Sequence, residues 1–333
     1  MSVETPHFGG AFLFRADRNN MQQQMRSARG WKLTASLLVG LFATASQASA
    51  QDVSIVPKLR AGDSFQLEVI RIRQNSAQPQ QNGKSTTRVN VLVLSSSADG
   101  SVIEWVPGAT VFDNPEVARD PLLGFASQAL RDIRFQLNLN ADGELLGMAN
   151  QAEVAPRLKT VVDAVVRDLA ARMPENQRQG FLNLIGQVLS VDVLIASATR
   201  DAATYLGLNG ASLAVGQAVD VDLEQPSPLG GGPIPAKFRV RLESATVDTA
   251  SLKTTTTYDG AGLMRLTQSL AKQAGKPIPP DELAKLPPMQ MADEGTYVFD
   301  RKRGLMREAR VNRRVAVGPN RRLDAWEIRL IPR

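Results

Sequence analysis

Apolar and polar residues alternate over many short stretches of the chain, and the clearest of these covers residues 135–148. Phe135, Leu137 and Leu139 alternate with polar residues, which is typical of a half-buried β-strand. The segment 140–143 (Asn-Ala-Asp-Gly) has the composition of a tight turn, and apolar residues return immediately after it. The pattern predicts a β-hairpin at this place in the chain.

The same order of elements is predicted twice. A weaker copy of the first hairpin covers residues 297–311, and the frame Leu-x-x-Gly opens an alternating stretch at both 59–69 and 213–223. Each series then continues with a loop, a hairpin, a helix and a second hairpin, and strong helical patterns separate the two series. We therefore expect an α+β fold of two similar antiparallel β-units, related by internal duplication, with packed helices.

Residues 25–50 have the order of a secretory signal peptide. Basic residues (Arg26, Arg29 and Lys32) precede a mostly apolar run, and small residues precede position 51. Cleavage after Ala50 would give a periplasmic or secreted protein, with translation starting at Met1, Met21 or Met25. The expected regions are a non-structural leader extension (1–24), the signal peptide (25–50), a first β-unit with one helix (51–150), a helical block (151–210), and a second β-unit with one helix and a basic C-terminal hairpin (211–333).

Composition excludes several kinds of chemistry. The 333 residues include no cysteine, so disulfides, thiolate metal sites and cysteine nucleophiles are absent. The one histidine, His7, lies in the region expected to be removed, so a general base would have to be Asp, Glu, Lys or Tyr. The first 50 residues carry five Lys/Arg and two Asp/Glu, so their removal lowers the net charge from +6 to +3. This charge does not indicate a nucleic-acid partner, and no cofactor is expected.

One short motif suggests a hydrolase. Ser269 and Lys272 match S-x-x-K, the nucleophile and activating lysine of some serine acyl-enzymes, and helical spacing places them on one face. The companion motifs of those enzymes are missing, and a four-letter match is frequent by chance. A solvated helix face is the favoured interpretation, and a hydrolase using Ser269 and Lys272 is kept as an alternative.

Two groups of oxygen-bearing residues suggest cation binding. Residues 138–143 resemble the first half of a calcium loop, but its twelfth position is Ala149 rather than an acid, which favours a plain hairpin turn. Asp220, Asp222 and Glu224 alternate along one strand and could raise one another's pKa or bind a cation. The favoured interpretation is that these residues lie on the solvent-exposed face of an amphipathic strand. No metal site and no catalytic residue is predicted.

The C-terminal segment is strongly basic. Residues 301–333 carry eleven Lys/Arg and three acidic residues, a net of +8. Such a segment could present a surface to anionic headgroups or to an acidic partner, and the alternative is a solvated hairpin. The candidate contact residues are Arg303, Arg307, Arg310, Arg313, Arg314, Arg321 and Arg322.

The combined motifs resemble an uncharacterised family of exported, β-rich bacterial envelope proteins. The resemblance rests on the opening L-x-x-G-[DQ] frame, on FQLNLNADGELLGMANQAEV before the helical block, and on SLAVGQAVDVDL after it. It brings no assigned activity and no catalytic residues. The architecture is also similar to the open half-barrels that carry lipoproteins or lipids in bacterial envelopes, which is a likeness of fold alone.

These observations predict a non-enzymatic, exported binding or assembly factor. It would hold an apolar or amphipathic envelope molecule, such as a lipid, between its sheet and its helices, with no membrane span once the signal is cleaved. A structural or protein-interaction module without ligand is the first alternative.

Overall fold

The computed structural model describes residues 52–119, 127, 130–171, 174, 175, 178, 182, 191–225, 233–273, 277–283 and 286–332. The predicted leader extension and signal peptide lie outside these residues, and so do residues 120–126, 128 and 129 of the predicted first β-unit. None of the helices in the described ranges is long and apolar enough to cross a membrane.

Within the described part of the chain, eleven strands form one antiparallel sheet, and two short strands form a second. The two short strands are β1 (Val53–Ser54) and β7 (Ser212–Leu213). In their order across the sheet, the eleven are β6 (Leu145–Met148), β5 (Phe135–Asn140), β4 (Gly100–Phe112), β3 (Gly83–Ser97), β2 (Ser64–Asn75), β13 (Asn320–Ile331), β12 (Leu305–Val317), β11 (Met289–Asp300), β10 (Thr249–Tyr258), β9 (Ile234–Ala245) and β8 (Ala218–Gln225).

Strands from both predicted β-units belong to this one sheet. Most neighbours in the sheet are also neighbours in the chain, as is usual for antiparallel hairpins. The exception is at the centre, where β2 pairs with β13 from Gln66↔Ile331 to Asn75↔Arg322. The fold is therefore β-rich, with a large antiparallel sheet and a few helices, and the internal duplication stays a prediction.

The helices bounded within the described ranges are α1 (Pro115–Ala118), α2 (Gln151–Ala171), α3 (Val191–Leu206), α4 (Gly260–Gln273) and α5 (Pro280–Leu283), and Pro79–Gln81 forms a 3₁₀ turn. The helix α4 begins where the Asp259 carboxylate accepts the Gly262 N–H at 2.7 Å, which satisfies a free donor of the first turn. Asn150 immediately precedes α2, and its side chain binds strand β5 by accepting the Gln136 N–H at 2.9 Å.

The core lies on one face of the sheet, which we call the inner face. Alternate residues of the strands point to it, including Leu67, Val91, Trp105 and Leu252, and all of these are buried. The helix α2 adds Val154, Leu158 and Val162 to the same cluster, and α3 adds Ala198, Ala202, Tyr205 and Leu206. A second apolar cluster joins α4 (Leu263 and Leu266) to Ile234, Ala236, Tyr258 and Met291.

The strand β4 is longer than the sequence pattern predicts. Residues 107–120 read as irregular, yet β4 continues to Phe112. The pairing of β3 with β4 shifts register between Thr87 and Val89, next to Pro107, which has no N–H to donate. Beyond this irregularity the ladder resumes, and the hydroxyl groups of Thr87 and Thr110 hydrogen-bond at 2.8 Å.

Candidate functional site

Charged residues lie on the inner face at the centre of the sheet. On β12, Ala309 and Val311 share the face with Arg313, because residues two apart point the same way. Arg313 lies opposite Asp324 of β13, and Asp324 lies opposite Arg73 of β2. We call the following set the inner arginine cluster: Arg71, Arg73, Arg200, Arg313 and Arg322, with Asp201, Asp293 and Asp324.

Arg313 forms the most enclosed ion pair of the cluster. Its Nε donates to Asp293 Oδ1 at 2.7 Å, its Nη2 donates to Asp293 Oδ2 at 2.6 Å, and the two side chains are only 17% and 15% exposed. The Tyr258 hydroxyl donates to Asp293 Oδ2 at 2.8 Å, and the guanidinium lies 5.7 and 5.8 Å from the ring centres of Tyr258 and Trp326. Burial alone would lower the pKa of Arg313, but the Asp293 carboxylate raises it above its ordinary value.

Two arginines share one carboxylate beside this pair. Arg73 Nε lies 3.2 Å from Asp324 Oδ1, and Arg322 Nε lies 2.7 Å from Asp324 Oδ2. Arg322 Nη2 donates a hydrogen bond to Asp324, whereas the buried Arg322 Nε has no aligned hydrogen-bond acceptor. The two guanidinium groups and the one carboxylate therefore have a net charge of +1.

The helix α3 brings two further charges to the inner face. Arg71 of β2 donates to Asp201 at 2.7 Å, which fastens α3 to the centre of the sheet. Arg200 has no carboxylate partner within the described part of the chain, and it lies within electrostatic reach of Arg71, Asp201, Arg313 and Asp324. Burial, followed by repulsion from Arg71, lowers the pKa of Arg200 to about 10. With five arginines and three aspartates, the cluster has a net charge of +2.

A recess of about 1420 Å³ borders the cluster. It is lined by the ends of β2, β3 and β10 and by parts of β11 to β13. Arg73, Arg322 and Tyr258 contribute polar groups to its wall, while Met291 and Val315 contribute apolar side chains from the same face. Its volume exceeds the roughly 300–1,000 Å³ that is usual for the pocket of a drug-sized ligand.

The seven candidate arginines of the C-terminal segment do not share one surface. Arg313 and Arg322 are on the inner face, as described above. Arg303, Arg307, Arg310, Arg314 and Arg321 are exposed. Several of the exposed side chains bind nearby groups: Arg310 binds Glu308, Arg314 Nη1 lies 2.9 Å from Glu294 Oε2, and Arg321 donates to the Gly318 carbonyl. Contact of these residues with an anionic surface stays a prediction.

The other motifs have the following geometry. Ser269 is half-buried and Lys272 exposed on α4, and no hydrogen bond joins them in the part of α4 that the structure describes.

Asp220 binds Arg239 at 2.6 and 2.8 Å, and this hydrogen bond lowers the pKa of Asp220, whereas a general acid needs a raised pKa. Asn140 Oδ1 accepts the N–H groups of Asp142 and Glu144, which is the geometry of a turn. Within the described residues, no three acidic or histidine side chains are placed to hold a metal ion.

Sequence reasoning missed Arg71, Arg73 and Arg200 as site residues. A signal for Arg71 and Arg73 was present, because both continue the spacing of two that begins with the apolar residues Phe65, Leu67 and Val69. An arginine at an inward position of a strand needs a partner, and that partner was 130 residues away in the case of Arg71 and Asp201. A local sequence pattern does not show which residues so far apart in the chain lie together in the fold.

Comparison with known proteins gives little further information. No family model matches the chain, and no curated protein matches it. Among solved structures, the chain is similar to one described as lipid–protein interactions in lipovitellin, with a TM-score of 0.38 and 8% sequence identity. The alignment covers 83% of this chain and 26% of that chain. A likeness at this level does not bear on function.

Proposed function

We propose that this chain is an exported, non-enzymatic binding or assembly factor of the cell envelope. Its cargo is an amphipathic lipid, held in a recess at one end of the large sheet. Export is supported by the signal-like order of residues 25–50. The cell envelope is where such a protein would meet lipid.

The observation that carries the proposal is the recess beside the inner arginine cluster. Its wall combines apolar side chains, such as Met291 and Val315, with the cationic groups of Arg73 and Arg322. Ligand sites are typically concave and mostly apolar, with a few placed polar groups that fix orientation. A wall that combines apolar and cationic side chains fits a molecule that has an apolar chain and an anionic or polar end.

Blocking the recess tests this function. The variant Val315→Trp places a large ring in the recess, and Val247→Trp is the matched control because Val247 is 78% exposed in a turn. Both variants and the parent would be purified from a cell-envelope extract and analysed by native mass spectrometry, then titrated with the neutral fluorescent probe N-phenylnaphthylamine. Lipid and probe should be present with the parent and the control, and absent with Val315→Trp.

Two results would contradict the proposal. If the parent carries no lipid and binds no probe, the cargo hypothesis fails, and co-purification of a protein partner alone would support an interaction module instead. If Val315→Trp binds lipid as well as the parent does, the recess is not the binding site.

A further inference from the structure

We propose that Arg73 and Arg322 bind the anionic headgroup of an amphipathic ligand at the wall of the recess, and that Arg200 supplies uncompensated positive charge behind them. The inference rests on the proposed function and specifies the chemistry of the ligand's polar end. The shared chemistry is an oxyanion, either a carboxylate or a phosphate, attached to an apolar chain.

The first support is the charge of the cluster. Each of the three aspartates already has an arginine partner: Asp201 binds Arg71, Asp293 binds Arg313, and Asp324 is shared by two arginines. No carboxylate among the described residues is left for Arg200. An enclosed cation without a partner destabilises a folded protein, and an anionic ligand would compensate it.

The second support is the geometry at the recess wall. Arg73 and Arg322 both line the recess and meet at Asp324, so their guanidinium groups lie side by side. The side chains of Arg73 and Arg322 are 27% and 21% exposed, so both can be reached from the recess. Guanidinium groups present planar pairs of donors that match carboxylate and phosphate oxygens. The wall therefore has the donors and the positive charge that an oxyanion requires.

The third support is that an apolar surface continues from these arginines. Val315 lies two residues from Arg313 on the same face of β12, and it is paired with Met291 of β11. On the neighbouring strand β13, Arg322 is the residue paired with Val315. A headgroup bound at Arg322 would thus have its attached chain directly against Val315 and Met291, in the recess.

The experiment compares three ligands with the same chain: dodecanoate, dodecyl phosphate and dodecanol. Each displaces N-phenylnaphthylamine from the parent, from Arg322→Gln, from Arg73→Gln, from Arg200→Leu, and from the control Arg239→Gln. Arg239 lies on β9, away from the recess, and is exposed and paired with Asp220. Arg200→Leu guards against misfolding, because loss of an unpaired cation should leave the fold intact or more stable.

The parent and Arg239→Gln should bind at least one anion about 10- to 100-fold tighter than dodecanol, the range expected for a charge-assisted hydrogen bond. The variants Arg322→Gln, Arg73→Gln and Arg200→Leu should lose that preference and keep the affinity for dodecanol. Which anion is preferred identifies the headgroup as carboxylate or phosphate.

Equal binding of dodecanol and both anions by the parent would overturn the inference and leave the proposed function standing. An anion preference that survives in all three cluster variants would also overturn it. If no ligand displaces the probe, or the probe itself does not bind, the proposed function fails together with the inference.

Discussion

The backbone carbonyl of Val56 occupies the space in which a side chain at position 304 would begin. Gly304 has a φ of +67°, and a Cβ built on it would overlap the Val56 carbonyl oxygen. The Lys58 N–H also donates to the Arg303 carbonyl at 2.9 Å, which keeps this segment against the turn between β11 and β12. Glycine is therefore required at position 304 for two reasons, its φ and the close approach of Val56.

The first prediction separates these two reasons. Gly304→Ala should destabilise the protein by more than about 3 kcal/mol, because strain and overlap act together. The matched control is Gly216→Ala: Gly216 has a φ of +84° and no heavy atom near its missing Cβ. That control should cost only the strain of a left-handed backbone, about 1–2 kcal/mol.

Urea unfolding followed by circular dichroism measures both values. Equal losses for Gly304→Ala and Gly216→Ala would mean that the segment at Val56 moves away at little cost. In that case the contact between this segment and the turn would not contribute to stability.

The second prediction concerns the buried ion pair. Asp293→Asn leaves Arg313 without a carboxylate in a site where both side chains are largely enclosed, so it should cost about 3–5 kcal/mol. The control is Glu294→Gln. Glu294 follows Asp293 in the chain and binds Arg314 on the exposed face, so its loss should cost less than about 1 kcal/mol. Similar losses in the two variants, measured by urea unfolding, would contradict the burial argument.

Part of this architecture could be predicted from the sequence. The hairpin at residues 135–148 is confirmed, because strict alternation and an Asx turn are local signals, and Asn140 makes the turn's hydrogen bonds within four residues. The central pairing of β2 with β13 could not be predicted, because no local pattern records which strands meet across the chain. The basic segment was interpreted by its summed charge, whereas the alternation along β12 puts Arg313 inside and Arg314 outside.

The third prediction tests the hydrolase alternative. Among the described residues, no hydrogen bond joins Ser269 to Lys272, so this pair lacks the contact that would activate the serine hydroxyl. A fluorophosphonate probe should therefore leave the purified protein unlabelled, and Ser269→Ala should bind N-phenylnaphthylamine as the parent does. A serine hydrolase labelled in the same tube is the positive control. Labelling of the parent that disappears in Ser269→Ala would establish the hydrolase and contradict the proposed function.

The last prediction is a loss of stability at alkaline pH. Burial raises the pKa of both Tyr205 and Tyr258 above the ordinary value of 10.0. Arg303 opposes the shift of the Tyr205 pKa in part, and Arg313 opposes that of the Tyr258 pKa in part. Between pH 10.0 and the raised pKa, the unfolded state releases a proton that the folded state keeps. The stability that the two neutral tyrosines contribute is thus complete below pH 10.0 and is lost as the pH rises beyond it.

The variant Tyr205→Phe isolates one of these contributions. Near neutral pH it should cost about 0.5–1.5 kcal/mol, because the Tyr205 hydroxyl donates to the Met306 carbonyl. Above pH 10.0 its stability should fall less steeply than that of the parent.

Arg200 changes the pH dependence of stability in the opposite direction. Its pKa is lowered in the folded state, so its contribution to stability rises with pH above about 10, and Arg200→Leu should make the alkaline loss of stability steeper. Parallel stability curves for the parent and both variants, from urea unfolding at each pH, would show that these groups do not titrate with folding.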